Sequence, residues 1–167
     1  MKFLYYNFYM RNLPRYKKCF VCGKENPIGL NITFKTDEER VYAAFKPDAK
    51  YMGYENTLHG GIAASLLDET MGWSCSIKTK KLYYTVELTV RYKKHIKVNE
   101  QLFVEAFMVK NRHLVGFAQA VLKDKEGNIL ATASGKYLPI DEKEEDRVYS
   151  LLHHEPEDEK PVTKDDI

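Results

Sequence analysis

Between Gly61 and about Ile77 the chain repeats apolar side chains at helical spacing on more than half of one circumference. Ile62, Leu66, Trp73 and Ile77 form one stripe, and Ala63, Ala64, Leu67 and Met71 widen it. A helix so apolar must be buried on most sides, and the rest of the chain has to wrap it. The remaining lane carries Gly61, Ser65, Asp68 and Gly72, three of them small, which leaves room beside the one carboxylate. The helix opens on His59-Gly60-Gly61. Glycines there let a ligand approach the unpaired N–H groups of the first turn, where the helix dipole favours negative charge. Asp68 lies seven residues after Gly61 and so returns to nearly the same face.

The wrapping material is legible as period-two alternation. Leu30 to Lys35 and Val41 to Phe45 read as two short strands, with Thr36 to Arg40 as the hairpin loop between them. After the helix, Tyr84, Val86, Leu88, Val90 and Tyr92 alternate with polar residues in a long half-buried strand. Leu102 to Val109 and Leu114 to Leu122 follow, joined by a turn at Lys110 to His113; Asp124 to Asn128 is a second turn, and Ile129 to Leu138 closes the series. Two strands, one helix and four strands predict an α+β domain in which a six-stranded antiparallel sheet curls around a central helix.

Three regions follow: an aromatic N-terminal extension over 1–18, the domain over 19–140, and an acidic tail over 141–167. Phe3, Tyr5, Tyr6, Phe8 and Tyr9 are candidates to lid a pocket or to cap the sheet. The tail carries a net charge of −7 against +9 for the rest. A basic body suits anionic ligands, but no nucleic-acid motif accompanies it. Within the tail, Val148, Leu151 and Leu152 suit a short amphipathic helix, with disorder expected after Pro156. Three cysteines do not make a disulfide framework, no run reaches the roughly 18 apolar residues of a membrane span, and the aromatic start is unlike a signal peptide. These features predict a cytoplasmic protein without membrane or nucleic-acid partners.

Within this order of elements, His59-Gly60-Gly61 followed by Leu66-Leu67-Asp68-Glu69 resembles the hotdog-fold thioesterases of the phenylacetate-pathway type, whose Asp stands eight residues after the first Gly of the turn. Cys22-Gly23-Lys24-Glu25-Asn26-Pro27-Ile28-Gly29-Leu30 is similar to the entry into the first strand of many relatives. Thr85-Val86-Glu87-Leu88-Thr89-Val90-Arg91-Tyr92 is similar to the strand that carries their catalytic Ser or Thr. The resemblance spans roughly residues 19–139. It implies hydrolysis of an acyl-CoA, with the thioester carbonyl on the Gly60 N–H, Asp68 as nucleophile or general base, and Thr85 bonded to the attacking water or the carboxylate. It also implies a site at a dimer interface, in a homodimer or a dimer of dimers, with no cofactor beyond the coenzyme A of the substrate.

Many relatives carry an Asn or Gln six residues before the His; here that position is Gly53, with Asn56 nearby but out of register. Losing an oxyanion donor costs about 2.7–4 kcal/mol in the transition state, so a hotdog module that binds acyl-CoA or acyl carrier protein without turnover is the alternative reading. The remaining candidates divide as follows. His59 is either a general base or, more in keeping with a helix entry, the residue that fixes the turn. Glu69 sits about 100° round the helix from Asp68 and is expected to answer a buried cation or interface donor. Gly61 and Asn56 would flank the substrate. Arg112, with Lys110, His113 or Lys94, could fork onto coenzyme A phosphates or sit at a solvated hairpin tip. Cys19 and Cys22 have the spacing of half a zinc site, but no second pair follows, so no metal is expected.

Overall fold

A computed structural model gives the architecture and describes residues 10–153. The elements are β1 (Arg11–Asn12), β2 (Arg15–Tyr16), β3 (Phe34–Thr36), β4 (Val41–Phe45), α1 (Gly60–Thr79), β5 (Tyr83–Tyr92), β6 (Leu102–Arg112), β7 (Val115–Asp124), β8 (Ile129–Pro139), α2 (Glu142–Ser150) and β9 (Leu152–His153). One antiparallel sheet runs β1-β3-β4-β6-β7-β8-β5, and β2 and β9 form a separate pair. The sheet curls around α1, as the near-uniform apolarity of that helix requires. It has seven strands rather than the six expected, because residues 11–12 add an edge to β3.

The helix fits because the strands facing it carry small side chains. Ala106, Ala118, Ala120, Ala131 and Ala133 are all buried beneath it. At Gly116 even one methyl group would sit 2.9 Å from the Cys75 sulfur, so glycine is what lets β7 approach α1. The buried hydroxyls of α1 return to its own carbonyls: Thr70 Oγ1 donates to Leu66 (2.6 Å) and Ser74 Oγ to Met71 (2.7 Å). A mostly buried helix can therefore hold Thr and Ser without orphaned polar atoms.

Several boundaries differ from the sequence reading, each for a local reason. Leu30, Ile32 and Phe34 do point inward, but the ladder to β4 starts only at Phe34. Asn31 adopts φ 54°, and the N–H groups of Leu30 and Ile32 bond the carbonyls of Phe20 and Val21 instead. The β6–β7 turn is later than expected, because His113 (φ 49°) and Leu114 (φ 69°) make a two-residue reversal after Arg112. The tail helix starts among acidic residues at the Asp141 cap, and it ends earlier than expected, before Leu152, which enters β9.

Part of each terminal region is folded onto the body. Leu13 is fully buried, and Arg15 donates from Nε to the Cys22 carbonyl (2.7 Å). Buried Glu145 of α2 accepts the Leu82 N–H (2.8 Å). Phe3, Tyr5, Tyr6, Phe8, Tyr9 and everything after His153 lie outside the described residues.

Candidate active site

His59 caps α1 by accepting the Gly61 N–H at Nδ1 (3.0 Å), which leaves its ring proton on Nε2. The Gly60 N–H has no partner among the described residues, so it is the donor left open at this positive helix end. The Gly60 carbonyl is held by the Tyr92 hydroxyl (2.5 Å).

Asp68 sits two turns along the helix, half-buried. Thr85 Oγ1 donates to its carboxylate at 2.9 and 3.1 Å, and the Tyr137 hydroxyl donates to Oδ1 at 3.0 Å. Burial raises the Asp68 pKa above the ordinary carboxylate value, and the two hydroxyl bonds pull it partly back. Simple alternation along β5 would put Thr85 on the face opposite Leu88. A β-bulge between Thr85 and Glu87 absorbs Val86 as an extra residue and reverses that parity. Thr85 therefore turns toward the helix, directly across from Tyr137 of β8, and both close on one carboxylate.

Asp68 and Thr85 line a cavity of about 370 Å³ with Tyr16, Trp73, Leu82, Tyr83, Ile140, Val148 and Leu152. Most of those walls are apolar, and α2 and β9 close one side. Tyr137 is the member that sequence reading missed. It is one more aromatic in an alternating strand, and nothing local signals that its hydroxyl meets a residue 69 positions earlier.

The other candidates are dispersed. Gly60 is eight residues from Asp68, about 12 Å along the helix axis, so the two cannot touch the same carbonyl group within one chain. Gly53 does lie beside His59, since a Cβ there would come within 3.3 Å of the imidazole Cδ2, but it offers no side-chain donor. Asn56 adopts φ 55° in an exposed turn. Arg112 stands at the β6–β7 hairpin, near the sheet end where β8 reaches Tyr137, whereas Lys94 follows β5 at the opposite end and bonds Asn128 (3.2 Å). Glu69 turns away from Asp68 toward Cys19 and Cys22, whose Sγ atoms lie 3.4 and 3.2 Å from its Oε1. Burial and the nearby Cys19 charge push Glu69 up to about 8, and hydrogen bonding from Cys22 pulls the Cys19 thiol down to about 6.

Comparison with known proteins accords with this architecture. A family model described as the thioesterase superfamily matches residues 55–131, from the turn before α1 into β8. Among solved structures, a thioesterase superfamily protein superposes with a TM-score of 0.68 at 20% identity, over 73% of this chain and 60% of that one. The chain thus spans less than two thirds of that relative. The Escherichia coli PaaI protein of the phenylacetic acid degradation operon gives 0.62 at 18% identity, over 67% and 81% of the two chains. A Streptococcus mutans protein bound to acetyl-CoA gives 0.57 at 20% identity, over 61% and 82%. No curated protein sequence matches the chain. The α+β sheet wrapped on a central helix is the hotdog fold of these structures, and the thioesterase superfamily model matches its helix and the strands that follow, a little under half of the chain. Among the described residues, no helix is long and apolar enough to cross a membrane.

Proposed function

We propose that this protein hydrolyses an acyl-CoA thioester to the free acid and coenzyme A, in a site shared by two subunits. The observation that carries the reading is Asp68: a half-buried carboxylate of raised basicity, oriented by Thr85 and Tyr137 at the wall of a largely apolar cavity. The acyl chain fills that cavity. The carbonyl oxygen takes the open Gly60 N–H of the other subunit, where the helix terminus stabilises the tetrahedral oxyanion. Asp68 either removes a proton from the attacking water or attacks the carbonyl carbon itself, in which case the mixed anhydride left after C–S cleavage is hydrolysed by water to the free acid and the Asp68 carboxylate is restored. The C–S bond then breaks, and the thiolate of coenzyme A takes up a proton. Water, a carboxylate and backbone dipoles suffice for this chemistry, so it asks for no metal or organic cofactor.

Support for a second subunit comes from β5. It is the last strand of the sheet, ten residues long, with one row of N–H and C=O groups unpaired and Val86 and Tyr92 exposed along it. Thr85 at its start is bonded to Asp68, and Tyr92 at its end is bonded to Gly60. Antiparallel pairing of β5 with its own copy about Thr89, with Val86 as the extra residue of the bulge, sets Thr85 of one subunit opposite Tyr92 of the other. That pairing brings Asp68 beside the partner's helix start, which the 12 Å separation within one chain forbids. Stacking of two such dimers into a tetramer is compatible with it.

The test is thiol release from short-chain, medium-chain and aromatic acyl-CoAs by wild type, Asp68→Ala and Asp68→Asn. Turnover by wild type that both variants lose, with folding intact, is the expected result. A second reading is favoured by Gly53, which leaves the oxyanion with one donor: a module that binds acyl-CoA or acyl carrier protein without turnover. Saturable acyl-CoA binding with no thiol release from any substrate would establish it.

A further inference from the structure

Between β2 and β3 the chain makes a turn whose construction the hydrolysis above leaves unused. Cys19 Sγ accepts the N–H groups of Val21 (3.2 Å) and Cys22 (3.5 Å), the environment that favours a thiolate over a neutral thiol. Gly23 closes the turn by donating to the Cys19 carbonyl (3.0 Å), and a Cβ at Gly23 would lie 2.5–2.6 Å from backbone atoms of Cys19 and Lys17, so no other residue fits. Arg15 fixes the far side through the Cys22 carbonyl. Both sulfurs face α1, where Glu69 Oε1 stands 3.4 Å from Cys19 Sγ and 3.2 Å from Cys22 Sγ, and the three ligand atoms lie within 4.8 Å of one another.

These separations have a chemical meaning. In a tetrahedral zinc site, with Zn–S near 2.3 Å and Zn–O near 2.0 Å, a sulfur and an oxygen ligand stand about 3.5 Å apart. The two S···O distances here are close to the edges of that tetrahedron. The half-site read in the sequence lacked a second pair of ligands; the fold supplies one more ligand from 47 residues away.

We propose that Cys19, Cys22 and Glu69 bind a divalent zinc ion, which ties the 19–29 loop to the middle of α1. Two thiolates select a borderline-soft cation over magnesium or calcium. Cys19 and Glu69 also line the cavity that Asp68 lines, so the fourth coordination position opens toward that space and is free for water. Glu69 follows Asp68 in α1 and shares that cavity wall, but its carboxylate is turned to the two sulfurs and not to the groups that hold the Asp68 carboxylate.

Metal content of the full-length protein, purified under reducing conditions and reconstituted with zinc, tests this directly, and it is independent of any thioesterase assay. One zinc per chain is expected. Cobalt in its place should give thiolate-to-cobalt charge-transfer bands in the near ultraviolet, a signature that a merely structural cysteine pair would not produce. Cys22→Ser should weaken zinc binding by more than about 100-fold, since even outer partners of metal ligands are worth 10–100-fold. Glu69→Gln, which keeps the side-chain shape, should weaken it as well and shift the cobalt spectrum, while Cys75→Ser should leave both unchanged. No metal uptake by reduced wild type, or a Cys19–Cys22 disulfide recovered in its place, overturns the proposal. Zinc binding that survives Cys19→Ser with Cys22→Ser, or that Glu69→Gln leaves untouched, overturns the assigned ligands.

Discussion

Two opposing influences set the acidity of Asp68. Burial disfavours its charged form, while the hydroxyls of Thr85 and Tyr137 favour it. If Asp68 is the base or nucleophile, the acid limb of kcat/KM lies above the ordinary carboxylate value of about 4, because activity needs the deprotonated form. Thr85→Val removes a donor to that form, so the limb should move further up while the maximum rate falls. Tyr137→Phe should move it in the same direction. A pH–rate profile of the three proteins checks this; an unshifted limb would detach the titration from Asp68. His59 is the other residue whose role a single substitution decides. As a helix cap, His59→Ala should cost about 0.5–2 kcal/mol of stability and lower Tm, and leave turnover within a few-fold of wild type. Loss of turnover at unchanged Tm would make it a participant in the chemistry.

At the scale of elements, the sheet and α1 are matched by volume. Gly116→Ala would push a methyl group to 2.9 Å from the Cys75 sulfur. It should destabilise the protein by about 1–3 kcal/mol, as overpacking of a filled core does. Adding Cys75→Ala should recover part of that loss, and a double-mutant cycle by chemical denaturation measures the coupling. The β5 bulge is the element-level device of the site. Val86, absorbed as the extra residue, is what lets Thr85 face the helix on the same side as Leu88 and Val90.

At the scale of the whole molecule, the proposed sharing of the site between two subunits predicts complementation. Gly60→Pro is the probe: it stands at the first position of α1, His59 before it already has ψ 131°, the conformation that precedes proline, and the Tyr92 hydroxyl, 3.2 Å from the new Cβ, must give by a few tenths of an ångström. It deletes the Gly60 N–H without deleting the helix. Gly60→Pro and Asp68→Asn should each be inactive. Unfolded and refolded together, they should regain about a quarter of wild-type activity, since half of the dimers are mixed and each mixed dimer has one intact site. No recovery, in a mixture shown to contain mixed dimers, would place both groups in one subunit.

By itself the sequence determined the fold class and the central elements, from the strand before Thr36 to the one that ends near Pro139. Apolarity at period 3.6 on most of one circumference and at period two elsewhere states which surfaces must leave water, and a sheet wrapped on a helix satisfies both. It also set Gly61 and Asp68 on a common helix face by their spacing, which the axial distance then rules out as one site, while the pairing of Gly60 with Asp68 came from the resemblance of the motif. What only the tertiary structure decided are the contacts between residues far apart in the chain: Tyr137 on Asp68, Tyr92 on Gly60, Glu69 on the two cysteines. A local bulge with no sequence mark decided which way Thr85 faces. The physical reason is the same in each case. Periodicity reports how much of a side chain is buried, whereas hydrogen-bond partners depend on strand register and helix placement, which are settled only when the whole core packs.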